Sequence, residues 1–350
     1  MKVHLFREMV RIRRFEQACI KRYANGSMGG WLVSTIGQES TSVAIRSVMA
    51  PEDHSISGPR GLGLALASGI KMRAIMAELY GTAAGCNKGK GGMFSIMSPE
   101  HHHWGCYPIA AAQTPLALGF GFAMKYRGGD GVAFCLMGDG AVNQGVFHET
   151  LNLAGLFDIP VVYVIENNNF SMGTSVERSS AFKGDLAKRA EGYDIAWDVV
   201  EGWDLYALRS KLLEARALAA EKGRPMVLEV QTYRHYGFSI ADANHKVYRT
   251  PEEIDFHKEH RDPIKHWEEQ LRKEGLLDDE LKNEIHEEAK EEALASVGLA
   301  EMSRPLFGED ILENIYWECD HETEASQQGR YFFNDEDLSW RPSLRGRGLF

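Results

Sequence analysis

Apolar residues recur along this chain in two rhythms. Leu5, Met9, Ile12, Phe15 and Cys19 fall on one stripe at helical spacing, which predicts an amphipathic helix over residues 1 to about 23. Asn25-Gly26 through Gly30 ends it. Gly37-Gln38-Glu39 opens a second helix to about Met49, residues 55–61 read as a loop, and helical spacing returns up to Tyr80. The stretch 85–92, GCNKGKGG, holds too much glycine for helix or strand. Residues 115–126 are helical, with Gly119 and Gly121 expected on a closely approached face.

Buried runs of strand length follow at 132–137, which is unbroken apolar, at 161–165, and at 226–230, where Glu229 is the one polar residue. Between the first two, Val146, Phe147, Thr150, Leu151 and Ala154 restore the helical period. That is a strand–helix–strand unit, whose parallel strands end on one edge of a sheet, where ligands gather. The expected fold class is therefore α/β, a mostly parallel sheet with helices on both faces, plus C-terminal helices.

Beyond a polar loop at 231–249, Thr250-Pro251-Glu252-Glu253 reads as a capping box with proline at the first helical position. Asp262-Pro263 starts another helix. Residues 276–301 carry nine acidic residues against two lysines, with Ile285, Ala289 and Ala293 as the apolar face, and read as a solvated surface. After Pro305 the tail is polar but aromatic, with Trp317, Tyr331, Phe332, Phe333 and Trp340, a composition suited to docking on its own chain or a partner. The expected organisation is one domain over 1–304, helical from 250 to 304, and a tail extension over 305–350.

Composition narrows the function classes. With 350 residues, 44% of them hydrophobic, the chain can bury a large core. Its net charge of −11, without a basic cluster, argues against nucleic acid. No apolar run approaches a membrane span, and the charged N-terminus lacks a signal-peptide stretch, so a cytoplasmic protein is expected. Cys19, Cys86, Cys106, Cys135 and Cys319 lack CxxC spacing and read as reduced thiols rather than a disulfide framework or zinc site.

The strongest chemical signal is Gly138-Asp139-Gly140-Ala141-Val142-Asn143 followed by Glu166-Asn167-Asn168. Asp139 supplies an anionic oxygen and Asn168, 29 residues later, an amide oxygen, each just past the end of a strand. Mg²⁺ takes hard oxygen ligands and shares them with phosphates, so the pair reads as a cation and diphosphate clamp. The other glycine motifs fail as nucleotide sites. In residues 84–91 the first required glycine is Ala84 and Gly91 replaces the hydroxyl residue, while 61–66 ends in Leu66.

The spaced GDG and NN resemble the metal and diphosphate motif of thiamine diphosphate enzymes. The run Met9-Val10-Arg11-Ile12-Arg13-Arg14-Phe15-Glu16 adds to it, as do Gly37-Gln38-Glu39, Lys88-Gly89-Lys90-Gly91-Gly92, Ala112-Gln113-Thr114-Pro115, Met172-Gly173-Thr174-Ser175 and Gln231-Thr232-Tyr233-Arg234. With these the chain resembles, as far as about Asp262, the alpha subunit of the decarboxylating component of 2-oxo acid dehydrogenase complexes. The resemblance implies a thiamine diphosphate-binding fold with thiamine diphosphate and Mg²⁺ as cofactors. Asp139, Asn168 and the carbonyl of Phe170 would hold Mg²⁺. The Gly138–Asp139 turn would lie at the diphosphate, with the amides of Gly140 and Ala141 offered to it. Arg60 and Arg234 would reach the diphosphate, and backbone around Pro108 and Ala110 would meet the aminopyrimidine, although Pro108 stands where the family has glycine.

The same resemblance marks departures. Family histidines are replaced by Val33, Leu62, Ser95 and Phe238, and His235-Tyr236 stands in exchanged order. His235, Ser239 and His103 remain as candidates for catalytic groups, His103 from the His101–His103 run, whose other reading is an exposed polar loop. A separate beta subunit would supply the ylid-forming glutamate within a heterotetramer, because this sequence ends before a second such domain. A lipoyl or carrier-protein domain would take the acyl unit. The expected function is decarboxylation of a 2-oxo acid with acyl transfer to a lipoyl-type carrier. The alternatives are ketol transfer from a ketose phosphate to a carrier protein, which the missing histidines favour, and a non-catalytic scaffold for a beta chain.

Overall fold

Six parallel strands carry the architecture, the central ones buried on both faces. The computed structural model describes residues 1–182 and 184–313; Cys319 and the aromatic tail residues Trp317, Tyr331, Phe332, Phe333 and Trp340 lie outside them. The chain divides into two units, Met1–Arg304 and Pro305–Phe350. In the first, α1 (Lys2–Ala24) and α2 (Glu39–Val48) precede β1 (His54–Ser57), α3 (Leu62–Ala67) and α4 (Met72–Leu79). Next come β2 (His103–Cys106), α5 (Gln113–Tyr126), β3 (Ala133–Gly138), α6 (Gly145–Leu156) and β4 (Val161–Asn167). A small hairpin, β5 (Phe170–Ser171) and β6 (Thr174–Ser175), leads through α7 (Val176–Ser179) to β7 (Ala196–Glu201), α8 (Leu205–Lys222) and β8 (Met226–Gln231). Three helices, α9 (Pro251–His260), α10 (Pro263–Lys273) and α11 (Asp279–Met302), close the unit. In the second unit the described residues form one short helical turn, Gly308–Leu312.

The sheet order is β2-β1-β3-β4-β8-β7, all parallel. Alternation along its central strands builds two cores. Phe134, Leu136, Val162 and Val164 pack toward α1, α2, α8 and α11, while Cys135, Met137, Tyr163 and Ile165 pack toward α5 and α6. Burial on both faces is why these strands read as continuous apolar runs. Pairing of Ser57 with Leu136, Gly138 with Glu166 and Asn167 with Gln231 aligns the carboxyl ends on one edge.

Some expectations change. Residues 55–57 are strand, not loop: Ser55 Oγ meets His103 Nδ1 at 3.0 Å and Ser57 Oγ donates to the Gly105 carbonyl, so polar side chains are satisfied inside the sheet. Gly121 is closely approached, since a Cβ there would sit 2.7 Å from Ile159, but Gly119 faces open space. The acidic helix α11 is only partly a solvated face. It buries Ile285, Ala289, Ala293 and Val297, and Arg11 grips Glu292 through two bonds of 2.7 Å, with Arg7 on Glu288. Thr250 caps α9 by accepting from the Glu253 amide, while the Glu253 carboxylate accepts from the Tyr233 hydroxyl.

The glycine-rich stretch 85–92 wraps an anion that the chain itself provides. Glu78 is fully buried in the last turn of α4, where the helix dipole disfavours a carboxylate. The amides of Asn87 and Gly89 donate to one oxygen at 2.7 and 2.9 Å, and those of Gly91 and Gly92 to the other at 2.8 and 3.0 Å. Gly89 has φ +75°, and a Cβ there would meet the Thr82 carbonyl at 2.5 Å.

Among the described residues, Cys19, Cys86, Cys106 and Cys135 are unpaired, and no helix is long and apolar enough to cross a membrane.

Candidate active site

The parallel sheet delivers one site residue past each of five strand ends. Arg60 follows β1, Pro108 to Ala110 follow β2, Asp139 follows β3, Asn168 follows β4 and Arg234 follows β8. Of these, Arg60, Asp139, Asn168 and Arg234 come together. Asp139 is buried at the first position after β3. Its Oδ2 has no hydrogen-bond partner among the described residues. Burial pushes its carboxyl up to about 6, against its own amide, that of Gly140 and the charges of Arg234 and Arg60. A Cβ at Gly140 would lie 2.1 Å from Ser171 Oγ, so only glycine lets the β5–β6 hairpin close over this turn.

Asn168 is held loosely. Its Oδ1 accepts from Arg234 Nε and from the Phe170 amide, and its Nδ2 donates to Gln38 Oε1, each at 3.4 Å, near the limit for a hydrogen bond. Phe170 starts β5 between two left-handed residues, Asn169 (φ 67°) and Met172 (φ 53°).

Both arginines lack a carboxylate partner. Arg60 donates to the carbonyls of Ser34 and Phe238, and Arg234 to those of Met172 and Tyr236 and to the Tyr248 hydroxyl. Burial lowers both guanidinium groups, Arg60 to about 10 with Arg234's charge adding to it. Desolvated cations tied only to neutral oxygens favour an incoming anion. Glu166, at the end of β4, was missed as a site residue. It is buried, its Oε1 has no partner, and burial pushes it up to about 7 against the pull of Arg60. The readable signal was a carboxylate ending a strand apolar on both faces.

This donor set fits a diphosphate held through a hard dication: one unpartnered buried carboxylate oxygen, one lightly bonded amide oxygen, two uncompensated arginines and a glycine turn. Among the described residues no cluster of three or more His, Cys, Asp or Glu could hold a metal, so a site here depends on amide and carbonyl oxygens. Gly138 precedes Asp139 in extended conformation with open space at its Cβ position, and Ala141 is buried behind the turn. Pro108, Ile109 and Ala110 are exposed, and Ala111 beside them is left-handed at φ 64°.

The catalytic candidates lie in other surroundings. His103 opens β2, three residues before its carboxyl end, fully buried against Ser55 and pushed down to about 4 by burial. At roughly 3.3 Å per residue that places it about 10 Å short of the edge bearing Asp139, so it is neither on an exposed loop nor at the clamp. His235 is buried under Gly37, where a Cβ would meet its ring at 2.6 Å. Its Nε2 lies 3.8 Å from Asp262, which Arg13 joins to Glu39, and burial followed by Arg13 pushes the imidazole down to about 3. Ser239 is buried, and its carbonyl accepts from the Asp242 amide at 3.0 Å. Of the replaced family histidines, Val33 and Leu62 are core residues. Ser95 is half-buried, and Phe238 packs edge-to-face on the exposed Trp31 with ring centres 6.0 Å apart.

Comparison with known proteins adds an independent line. The family model of the dehydrogenase E1 component matches residues 7–305, a span that contains every residue of the clamp. The chain is 36% identical over 311 residues to the pyruvate dehydrogenase E1 component subunit alpha of Rickettsia bellii, covering 89% of this chain and 94% of that one. It is 38% identical over 297 residues to the corresponding subunit of Rhizobium meliloti, covering 85% and 84%. It is 34% identical over 315 residues to the type I mitochondrial form of Ascaris suum, covering 90% and 78%. These alignments span most of each chain, so the likeness is not confined to an isolated motif.

Proposed function

From the premise that this chain belongs to the dehydrogenase E1 component family, as an alpha-type chain of the thiamine diphosphate-dependent 2-oxo acid enzymes, we propose that it decarboxylates a small 2-oxo acid together with a beta chain. The observation that carries this reading is the buried Asp139 Oδ2, which has no hydrogen-bond partner among the described residues and lies beside two arginines that make no ion pair there. Asp139, Asn168 and the Phe170 carbonyl would hold Mg²⁺, with Asp139 ionised when the ion is bound. Arg60 and Arg234 bind and orient the diphosphate, and the Gly140 turn leaves room for it. Thiamine diphosphate, when bound, supplies the stabilisation of negative charge at the reacting carbon. Backbone at Pro108 and Ala110 meets its ring.

The beta chain provides the glutamate that activates the cofactor. Support for a permanent partner comes from α5 and α6, which leave Leu116, Phe122, Tyr126, Leu153 and Leu156 exposed beside Phe157 and Ile109. Helices this apolar on their outer faces belong under another subunit. Acyl transfer to a lipoyl-type carrier follows decarboxylation. In that step Phe238, beside Trp31, presents no proton donor, and His103 and His235 are held elsewhere.

The test is co-production with a beta chain, then turnover of short 2-oxo acids with an artificial electron acceptor and with a lipoyl domain. The assembled pair should decarboxylate at least one 2-oxo acid, with lipoyl acylation roughly 10²-fold slower than decarboxylation for want of a positioned acid. Turnover by this chain alone, or ketose phosphates as the sole donors, would overturn the reading.

A further inference from the structure

A second cavity lies at the opposite edge of the sheet from Asp139, where α2 and α3 end and α4 begins. Its volume is about 840 Å³, within the range of small-molecule sites. The floor is apolar, made by Leu5, Val43, Leu66, Ile70 and Leu299 from α1, α2, the α3–α4 segment and α11.

The charges around that floor are unequal. Two carboxylates line the cavity, Glu8 and Glu292, and both are engaged by Arg11: Glu292 through two bonds of 2.7 Å and Glu8 through bonds of 2.7 and 2.9 Å. Arg46, Lys71 and Arg73 also line it, and none has an ion pair or hydrogen-bonded partner for its side chain among the described residues. Arg46 is half-buried at the end of α2, and Lys71 and Arg73 are exposed at the rim. Lys71, at the N-cap of α4, makes no side-chain cap to the helix. In a chain of net charge −11, this wall is left with uncompensated positive charge over an apolar floor.

We propose that this cavity is a binding site for an amphipathic anion, an apolar body with a carboxylate or phosphate head. The body covers Leu5, Val43, Leu66 and Ile70, and the head pairs with Arg46, Lys71 and Arg73. A purely apolar ligand would leave the three cations unanswered, and a bare inorganic anion would leave the floor wet. The site is separate from the clamp and does not rest on the proposed reaction.

Calorimetry on the assembled alpha–beta protein tests this with octanoate, octyl phosphate and inorganic phosphate as probes. At least one octyl probe should bind saturably, one per alpha chain, and inorganic phosphate at least tenfold more weakly. The relative affinity of the two octyl probes identifies the head group. The double variant Arg46→Gln/Arg73→Gln should weaken binding at least tenfold. Ala295→Trp, at an exposed lining position on α11, should block it by filling the space without changing charge. Neither variant touches the clamp, so turnover without probe should stay at the wild-type rate. Absence of saturable binding, or binding equal in wild type and both variants, would overturn the proposal.

Discussion

Two glycine-rich turns in this molecule gather backbone amides around a carboxylate, and they use it in opposite ways. At 85–92 four amides close on Glu78, so both of its oxygens are held inside the protein. At 138–141 the turn holds Asp139 by its own amide and that of Gly140 but leaves Oδ2 open, beside Arg60 and Arg234. Glycine density alone therefore does not mark a ligand site. What separates the two is whether the chain supplies the counter-charge. The first turn is complete as folded, and the second leaves open the carboxylate oxygen at which we propose a cation binds.

The largest expected effect breaks the open turn. Asp139→Ala should cut turnover of the assembled enzyme by at least about 10³-fold, roughly 4 kcal/mol, and remove the thermal stabilisation given by Mg²⁺ with thiamine diphosphate. Wild-type stabilisation in that variant would place the cation elsewhere. Breaking the closed turn should act on stability instead. Glu78→Ala leaves four inward amides without an acceptor and should cost about 4 kcal/mol by urea unfolding of the chain. Loss of cofactor affinity without loss of stability would show that the two turns are not different in kind.

A third carboxylate sharpens the contrast. Glu16 is buried and accepts from Ser34 Oγ and from the amide and hydroxyl of Thr35, yet burial pushes it up to about 7 from an ordinary 4.5. A raised carboxyl contributes stability that is present below pH 4.5 and lost as pH rises through 7, because the unfolded chain ionises first. Glu16→Gln should therefore gain on wild type by about 3 kcal/mol between pH 4.5 and 7.5. A difference that stays flat across that window would show that the Ser34 and Thr35 donors offset the burial of Glu16 in full.

The sequence was legible where one signal settled the matter. The strands β3, β4 and β8 are buried on both faces, so their apolar runs announce them, and the 29-residue spacing of Asp139 and Asn168 follows from one strand–helix–strand unit. It was illegible where distant residues decide. β1 reads HSIS and looks like a loop until Ser55 meets His103 across the sheet. His235 reads as a catalytic imidazole until Asp262 and Arg13 are placed beside it. Ala84 and Gly91 argue in the sequence against a nucleotide motif at 84–91, but Glu78, the anion that the loop encloses, stands earlier, on another element.

The N-terminal helix carries a consequence for how the chain is made. Arg11 pairs with Glu292, Lys2 with Glu274 and Arg13 with Asp262, and the apolar stripe of α1 packs on α10 and α11. During synthesis α1 thus waits for its partner α11, about 280 residues later. At roughly 5–20 residues per second that interval is about 14–56 seconds. Throughout it α2 and α3 cover α1 only in part, so nascent or truncated chains lacking α11 should be the preferred clients of holding chaperones.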